Sequence, residues 1–294
     1  MMKLDEILYV PTNQILKIRN CEIDVTYKPL IMGILNRTTD SFYDHGEYFN
    51  FDDFLKKAES LLADGADILD IGGVKAGSGE PVSLDEELER VVPAVEALNQ
   101  RFDALISVDT WNSKVLEESA KVGASIGNDI SGFSDPNYLE VASKYNLAVV
   151  ATHIRLQPRI DDPNPIYRDI KNDVLTFLEN KVSDAIKANI DIRSIMIDLG
   201  LDLGKTSDQS LQLFKMSTFY AANLKLPMFL SASNKGFLGD ILNLEIRKRT
   251  HITNAAVAFG YLAGNRVFRV HDVSSAVLLT NSLKYIVTSK LRRR

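Results

Sequence analysis

A chain of 294 residues that is 45% hydrophobic and 25% charged has the size and balance of a water-soluble globular protein with one large domain or two modest ones. Its formal net charge of −5 excludes the global basic field of a nucleic-acid-binding protein, so an anionic ligand would need a locally basic cleft. The single cysteine, Cys21, excludes an intrachain disulfide framework and fits a reducing compartment. The opening residues 1–6 lack the apolar core of a signal peptide, and the longest apolar run, 255–264, is too short to cross a bilayer. The expectation is a cytoplasmic protein with no membrane and no nucleic-acid partner. The basic tail, 290–294, reads as a solvated end.

Residues 1–30 form a prelude in which 15–19 and 22–26 alternate apolar and polar side chains around Asn20. That pattern predicts a small β-hairpin, expected to plug one end of a barrel. From residue 31 to 294 the pattern is different and repeats as a single domain. Strands are predicted at 30–35, 67–71, 104–108, 124–126, 147–151, 194–197, 227–230 and 267–270. Helices are predicted at 51–63, 84–98, 114–122, 138–145, up to 188, 211–222, 240–262 and 273–291, with Pro93 a candidate kink in the second.

Eight strand–helix alternations without a break in composition predict a (β/α)₈ barrel, and the length agrees with the roughly 250 residues such barrels need. A doubly wound open sheet has strands of the same kind, and the count of eight favours the barrel. Functional groups of a barrel sit at the C-terminal ends of its strands. Asn36, Asp70, Asp109, Asn128, His153, Asp198, Lys235, Arg269 and His271 all fall there.

Arg269 and His271 stand two apart on the last strand, so they face the same way and can both donate hydrogen bonds to one oxyanion. Lys235 supplies a second cation after the preceding strand, and the last two strands are where barrels often hold phosphate. Each cation alone reads better as half of a surface ion pair; together, at adjacent strand ends, they read as an anion site. Asp109, Asn128 and Asp198 could each cap a neighbouring helix. Grouped, they suit a flat heterocycle, because a carboxylate takes an amino-amidine edge with two hydrogen bonds and an amide adds a donor and an acceptor. Asn36 is either a turn asparagine or a hard oxygen ligand for Mg²⁺.

Two tempting motifs fail. Gly200-Leu-Asp-Leu-Gly204-Lys-Thr206 has three residues between its glycines where a phosphate-cradling P-loop has four, although Lys205 can still point into the site. His153 has no partner at metal-ligand spacing among the other histidines, His45, His251 and His271, so zinc is not expected.

Met32-Gly-Ile-Leu-Asn-Arg-Thr-Thr-Asp-Ser-Phe42, Asp70-Ile-Gly-Gly73, Ser107-Val-Asp-Thr110, Asn128-Asp129, Ile197-Asp198 with Gly204-Lys205, Ser233-Asn-Lys235 and Arg269-Val-His-Asp-Val273 occur in this order. In these motifs the chain resembles dihydropteroate synthases, over residues 31–287. The resemblance implies a pterin-binding barrel in which hydroxymethyl-dihydropterin pyrophosphate loses pyrophosphate with the help of Mg²⁺ and p-aminobenzoate attacks the exposed methylene. It implies that Asp109, Asn128, Asp198 and Lys235 hold the pterin. Asn36, Arg269 and His271 would hold the pyrophosphate and its metal, with Lys235, Arg269 and His271 as the catalytic set. A homodimer built on the last two helices is a further implication.

The departures from the family pattern are local. The second loop, Gly-Gly-Glu-Ser-Thr-Arg-Pro-Gly in the family, is here Gly72-Gly-Val-Lys-Ala-Gly-Ser-Gly79, so the threonine and arginine become Ala76 and Gly77, with Lys75 nearby. Ser-Arg-Lys becomes Ser233-Asn234-Lys235, and Asp-Pro-Gly becomes Asp198-Leu199-Gly200. These variants resemble a divergent second type of the enzyme in actinobacteria, whose members are suspected of lacking synthase activity. The expected function is therefore dihydropteroate synthesis, with a catalytically impaired or repurposed pterin- or anion-binding paralogue as the alternative. A methyltransferase on the same barrel shares the pterin residues but has no use for the pair Arg269 and His271.

Overall fold

The alternation at the N-terminus folds as read. In the computed structural model, β1 (Ile15–Ile18) pairs antiparallel with β2 (Cys21–Asp24), Ile15 opposite Asp24. The structure describes residues 8–9, 11, 13–37, 51–74, 82–160 and 162–289. Leu16 and Ile18 of β1 and Val25 are buried in one cluster with Leu30, Met32, Ile68, Ile126, Ala148, Val150, Met196, Phe229 and Val267. These are inward-facing side chains near the N-terminal ends of the long strands. Arg266, itself fully buried, donates to the carbonyls of Thr26, Tyr261 and Asn265 and so ties the segment after the hairpin to the barrel.

From residue 30 strands and helices alternate. They run β3 (Leu30–Asn36), α1 (Phe51–Ala63), β4 (Ile68–Gly72), α2 (Leu84–Arg101), β5 (Leu105–Asp109), α3 (Ser113–Lys121), β6 (Ile126–Asp129), α4 (Tyr138–Lys144), β7 (Ala148–Thr152) and α5 (Ile170–Lys187). Then come β8 (Ile195–Asp198), α6 (Ser207–Lys215), α7 (Ser217–Leu224), β9 (Met228–Leu230), α8 (Gly236–Leu242), α9 (Thr250–Leu262), β10 (Asn265–Val270) and α10 (Val273–Thr288). The eight strands β3 to β10 are parallel and β10 closes on β3, so the sheet is a barrel and not an open doubly wound sheet. No helix of the described residues is long and apolar enough to cross a membrane.

Two helices expected as single pieces are broken. The run predicted at 240–262 is α8 and α9, because Asn243 takes a left-handed backbone (φ 48°) and ends α8. Asparagine tolerates that conformation better than other residues with a side chain, so the break follows from local chemistry. The run at 211–222 is α6 and α7, parted at Met216, whose N–H returns to Leu213 and Phe214. Pro93 does not end α2, which continues to Arg101.

A two-residue period sorts each strand into inward and outward positions. Outward residues such as Leu69, Ile71, Ile106, Val108, Val149, Ala151, Ile195, Ile197, Phe268 and Val270 join the apolar layer under the helices. Inward residues are apolar in the lower half and polar above. Counting two from Ile68, Ile126, Met196 and Val267 gives Asp70, Asn128, Asp198 and Arg269. Counting four from Met32 and Leu105 gives Asn36 and Asp109. The sequence thus places its polar groups inside the barrel and only near the C-terminal mouth.

Candidate active site at the C-terminal mouth of the barrel

Burying carboxylates is costly unless cations meet them. Here Arg269 does so for two at once. Its Nε donates to Asp70 Oδ2 at 2.6 Å and its NH2 nitrogen to Asp109 Oδ2 at 2.8 Å. Asp70 is fully buried, and the amide of Asn128 reaches both its oxygens at 3.4 Å. The guanidinium is therefore the hub of an ion cluster joining β4, β5 and β10, with its remaining NH1 nitrogen making no hydrogen bond among the described residues. Burial pushes the Asp109 carboxyl up to about 7; Arg269 and Lys235 pull it down, while Asp70 and Glu87 push it further up.

On the other side of the mouth Asp198 is buried and accepts the Gly200 N–H at 2.9 Å through Oδ1. Burial raises its affinity for a proton, against the pull of that hydrogen bond and of Lys235, Lys205 and Arg269. Gly200 has a left-handed backbone (φ 61°), and a Cβ there would lie 1.8 Å from the His153 carbonyl oxygen. Gly200→Ala is therefore expected to cost about 3 kcal/mol of stability, read by urea denaturation, because backbone strain and steric overlap act together.

Lys205 does not project into the cavity as a free cation. Its buried ammonium donates to the carbonyls of His153 (3.2 Å), Gly200 (2.7 Å) and Leu203 (3.0 Å), bracing the loops after β7 and β8. Burial drops its pKa to about 7. Lys235, by contrast, is half-buried at the start of α8 and makes no ion pair among the described residues, while its charge acts on both Asp109 and Asp198.

His271 is bound to the segment after β9: Ser233 Oγ lies 2.9 Å from its Nδ1. Burial, with Arg269 and Lys57 nearby, lowers the ring's pKa to about 3. Asn36 ends β3 with its oxygen turned toward the neighbouring strands. A Cβ placed on Gly72 would lie 3.3 Å from Asn36 Oδ1 and 3.5 Å from Asp109 Cβ, so the glycine lets both side chains pack closely over β4. Among the described residues no group of three or more His, Cys, Asp or Glu side chains is arranged for a metal ion.

The structure thus gathers Asp109, Asn128, Asp198, Lys235, Arg269 and His271 at one mouth, with Asn36 at its rim. It turns two motif neighbours away. His153 is an outward residue whose ring packs on Phe177 and Tyr167 and whose pKa burial lowers to about 2. Asp129 faces outward too and binds the N–H groups of Ser131 and Phe133. Asp70 stands at a strand end but has no role legible in the sequence. Glu87, buried in α2, accepts the Thr110 hydroxyl at 2.6 Å and is not among the sequence candidates. An acid three residues after Leu84 on the apolar face of a predicted helix was the available signal. The second loop, at 75–79, and the loop from 38 lie outside the described residues.

The family pattern described as pterin binding enzyme matches residues 32–271. The dihydropteroate synthase of Haemophilus influenzae is 38% identical over 248 residues, covering 84% of this chain and 90% of that protein. The chain belongs to the dihydropteroate synthase family. A crystal structure of the Yersinia pestis dihydropteroate synthase with a sulfonamide drug complex superposes with a TM-score of 0.89, at 35% identity, over 94% of this chain and 100% of that one. The family also contains a relative named inactive dihydropteroate synthase 2, from Mycobacterium leprae, 36% identical over 84% of this chain and 86% of that protein. Family membership thus accounts for the barrel and its polar mouth, and leaves the retention of turnover to the chemistry of the loops.

Proposed function

We propose that this chain binds hydroxymethyl-dihydropterin pyrophosphate in the mouth and condenses it with p-aminobenzoate, releasing pyrophosphate, as a cytoplasmic step of folate synthesis. The observation that carries this reading is the inward grouping of Asp109, Asn128 and Asp198 with Lys235 and Arg269. A flat heterocycle rich in N–H donors matches the acids and the amide, and an anionic leaving group matches the cations. Asp198 takes the amino-amidine edge, Asn128 and Asp109 take the remaining ring edges, and Lys235 binds a ring acceptor. Arg269 offers its unused nitrogen, and His271 an N–H, to the pyrophosphate. Scission breaks the methylene C–O bond and the electron pair leaves with pyrophosphate; the amine nitrogen then forms the new C–N bond and gives up a proton. Donors already in place where negative charge grows stabilise that step. Asn36 Oδ1 is a hard oxygen that would serve as one protein ligand of Mg²⁺, which would complete its shell with water and substrate oxygens and neutralise the departing charge.

A coupled assay with Mg²⁺, the pterin pyrophosphate and p-aminobenzoate tests the reading. No turnover above blank, with pterin binding retained, selects instead a repurposed pterin-binding paralogue. That second reading is favoured by Ala76 and Gly77 in the second loop. Loss of both turnover and pterin binding sinks the two together.

Asp198→Asn separates pterin recognition from folding. Asparagine can keep the Gly200 contact but cannot accept two hydrogen bonds from an amino-amidine edge. Pterin binding measured by calorimetry is expected to weaken by about 10- to 100-fold, with little change in stability; a change under threefold would remove Asp198 from the site. Homodimerisation is proposed through α10, where Leu278 is 72%, Tyr285 75% and Ile286 67% exposed. Contiguous apolar area of this kind marks interaction surfaces. Leu278→Asp with Ile286→Asp should give a monomer in sedimentation velocity; a wild-type protein that is already monomeric rejects the proposal.

A further inference from the structure

The half of the site that faces the leaving group contains a histidine whose ring nitrogens have been assigned different tasks. Ser233 Oγ accepts the backbone N–H of His271 at 3.3 Å and lies 2.9 Å from Nδ1 of the same residue. A hydroxyl has one hydrogen and two lone pairs. With a lone pair taken by the backbone N–H, its hydrogen is available for the ring. Asn234 Nδ2, an amide nitrogen that can only donate, stands 3.4 Å from the same Nδ1.

Asn234 is not a casual neighbour. It holds a left-handed backbone (φ 59°), a conformation asparagine accepts more readily than the arginine that the family pattern carries there. Its N–H donates to Thr253 Oγ1 at 3.2 Å, and its carbonyl accepts from Arg249 at 3.0 Å. Two side chains from α9 and the turn before it therefore fix the peptide that aims this amide at the ring.

We propose that Ser233 and Asn234 are positioning residues that hold His271 as the neutral tautomer protonated on Nε2. Nδ1 then accepts two hydrogens, and the ring presents a single N–H donor, not a second cation, to an anion in the mouth. The ring's buried setting beside Arg269, which disfavours a second positive charge, acts in the same direction. This deepens the reading of the mouth as a pyrophosphate site. The anion meets a guanidinium already shared with Asp70 and Asp109, plus a directed neutral donor, so hydrogen-bond geometry and not excess charge selects it. That suits a group that must be released after each turnover.

Long-range ¹⁵N–¹H correlation on the full chain labelled at histidine reads the tautomer directly, with His271 assigned by its absence in His271→Gln. At neutral pH the wild-type ring is expected to show a pyridine-type Nδ1 and a pyrrole-type Nε2. Ser233→Ala combined with Asn234→Ala should turn this into a mixture of tautomers, and Ser233→Thr should restore it. Titration with Mg²⁺-pyrophosphate should show the double variant binding about fivefold more weakly, the scale of one neutral hydrogen bond. A pyrrole-type Nδ1 or an imidazolium in the wild type overturns the proposal. So does a ring spectrum that the double variant leaves unchanged. If the wild-type ring has the expected tautomer but pyrophosphate does not bind, the tautomer assignment stands and the anion reading of the mouth falls.

Discussion

Replacing Arg269 by methionine is expected to lower the stability of the protein by about 3–5 kcal/mol near pH 8, the usual cost of removing one partner from a buried ion cluster. The methionine fills much of the volume but leaves Asp70 and Asp109 facing each other without their shared cation. The deficit should depend on pH in a defined direction. The Asp109 carboxyl is raised from 3.8 to about 7 in the folded protein, so the native state holds its proton more tightly than the unfolded chain does. Stability from that proton is fully present below about pH 4 and is lost as pH rises through about 7. Without Arg269, which pulls the Asp109 pKa down, the folded value rises further and the loss extends to higher pH. The gap between wild type and Arg269→Met should therefore be smaller at pH 5, where only the Asp70 pairing is lost, and widen by pH 8 in urea denaturation. A gap that narrows over that range would mean Asp109 is not the group that Arg269 stabilises. Asp109→Asn in the Arg269→Met background should recover part of the loss at pH 8, since it removes the stranded charge. The same guanidinium is assigned to the leaving group, so loss of pyrophosphate binding is expected alongside the destabilisation, and the double variant should not restore it.

This prediction rests on a pairing that the sequence could not display. Asp70 and Arg269 are 199 residues apart, and periodicity reports which way a side chain faces, not which one it meets. What was legible is the facing itself. Short apolar strands with a polar residue at the end, repeated eight times, led to the barrel and to the mouth, because inward positions become polar toward the C-terminal end of most strands. The same rule, applied strictly, would have turned His153 and Asp129 outward, since each follows an inward residue by one. Lys205 was misread for a different reason: a lysine in a glycine-rich turn looks like a ligand-binding group until three backbone carbonyls are seen to need it. The breaks at Asn243 and Met216 escaped because helical spacing of apolar residues persists across both. The motif resemblance supplied what periodicity lacked, namely which ligand so many polar groups could share.

Restoring the second loop should have the largest effect on turnover. Ala76→Thr with Gly77→Arg returns the hydroxyl and the guanidinium that the family pattern carries after its paired glycines. The stem that would support them is in place: Arg37 N–H donates to the Gly72 carbonyl at 2.8 Å, and Arg90 donates to the Gly73 carbonyl at 2.8 Å. Two regained contacts to charged groups, at about 1.5–3 kcal/mol each, correspond to roughly a hundred- to ten-thousand-fold in kcat/KM for p-aminobenzoate. The pterin affinity should stay unchanged, because Asp109, Asn128 and Asp198 are untouched. Lys75→Ala in the unmodified chain is the necessary companion measurement. If Lys75 already supplies the missing cation, its loss lowers the native rate and the restored loop gains little, since a point charge then does most of what the planar fork would do. If Lys75→Ala is silent and the restored loop gains nothing in rate, the second loop is not what separates this chain from an active synthase. The limitation would then lie at the departing anion, where Asn234 and His271 meet.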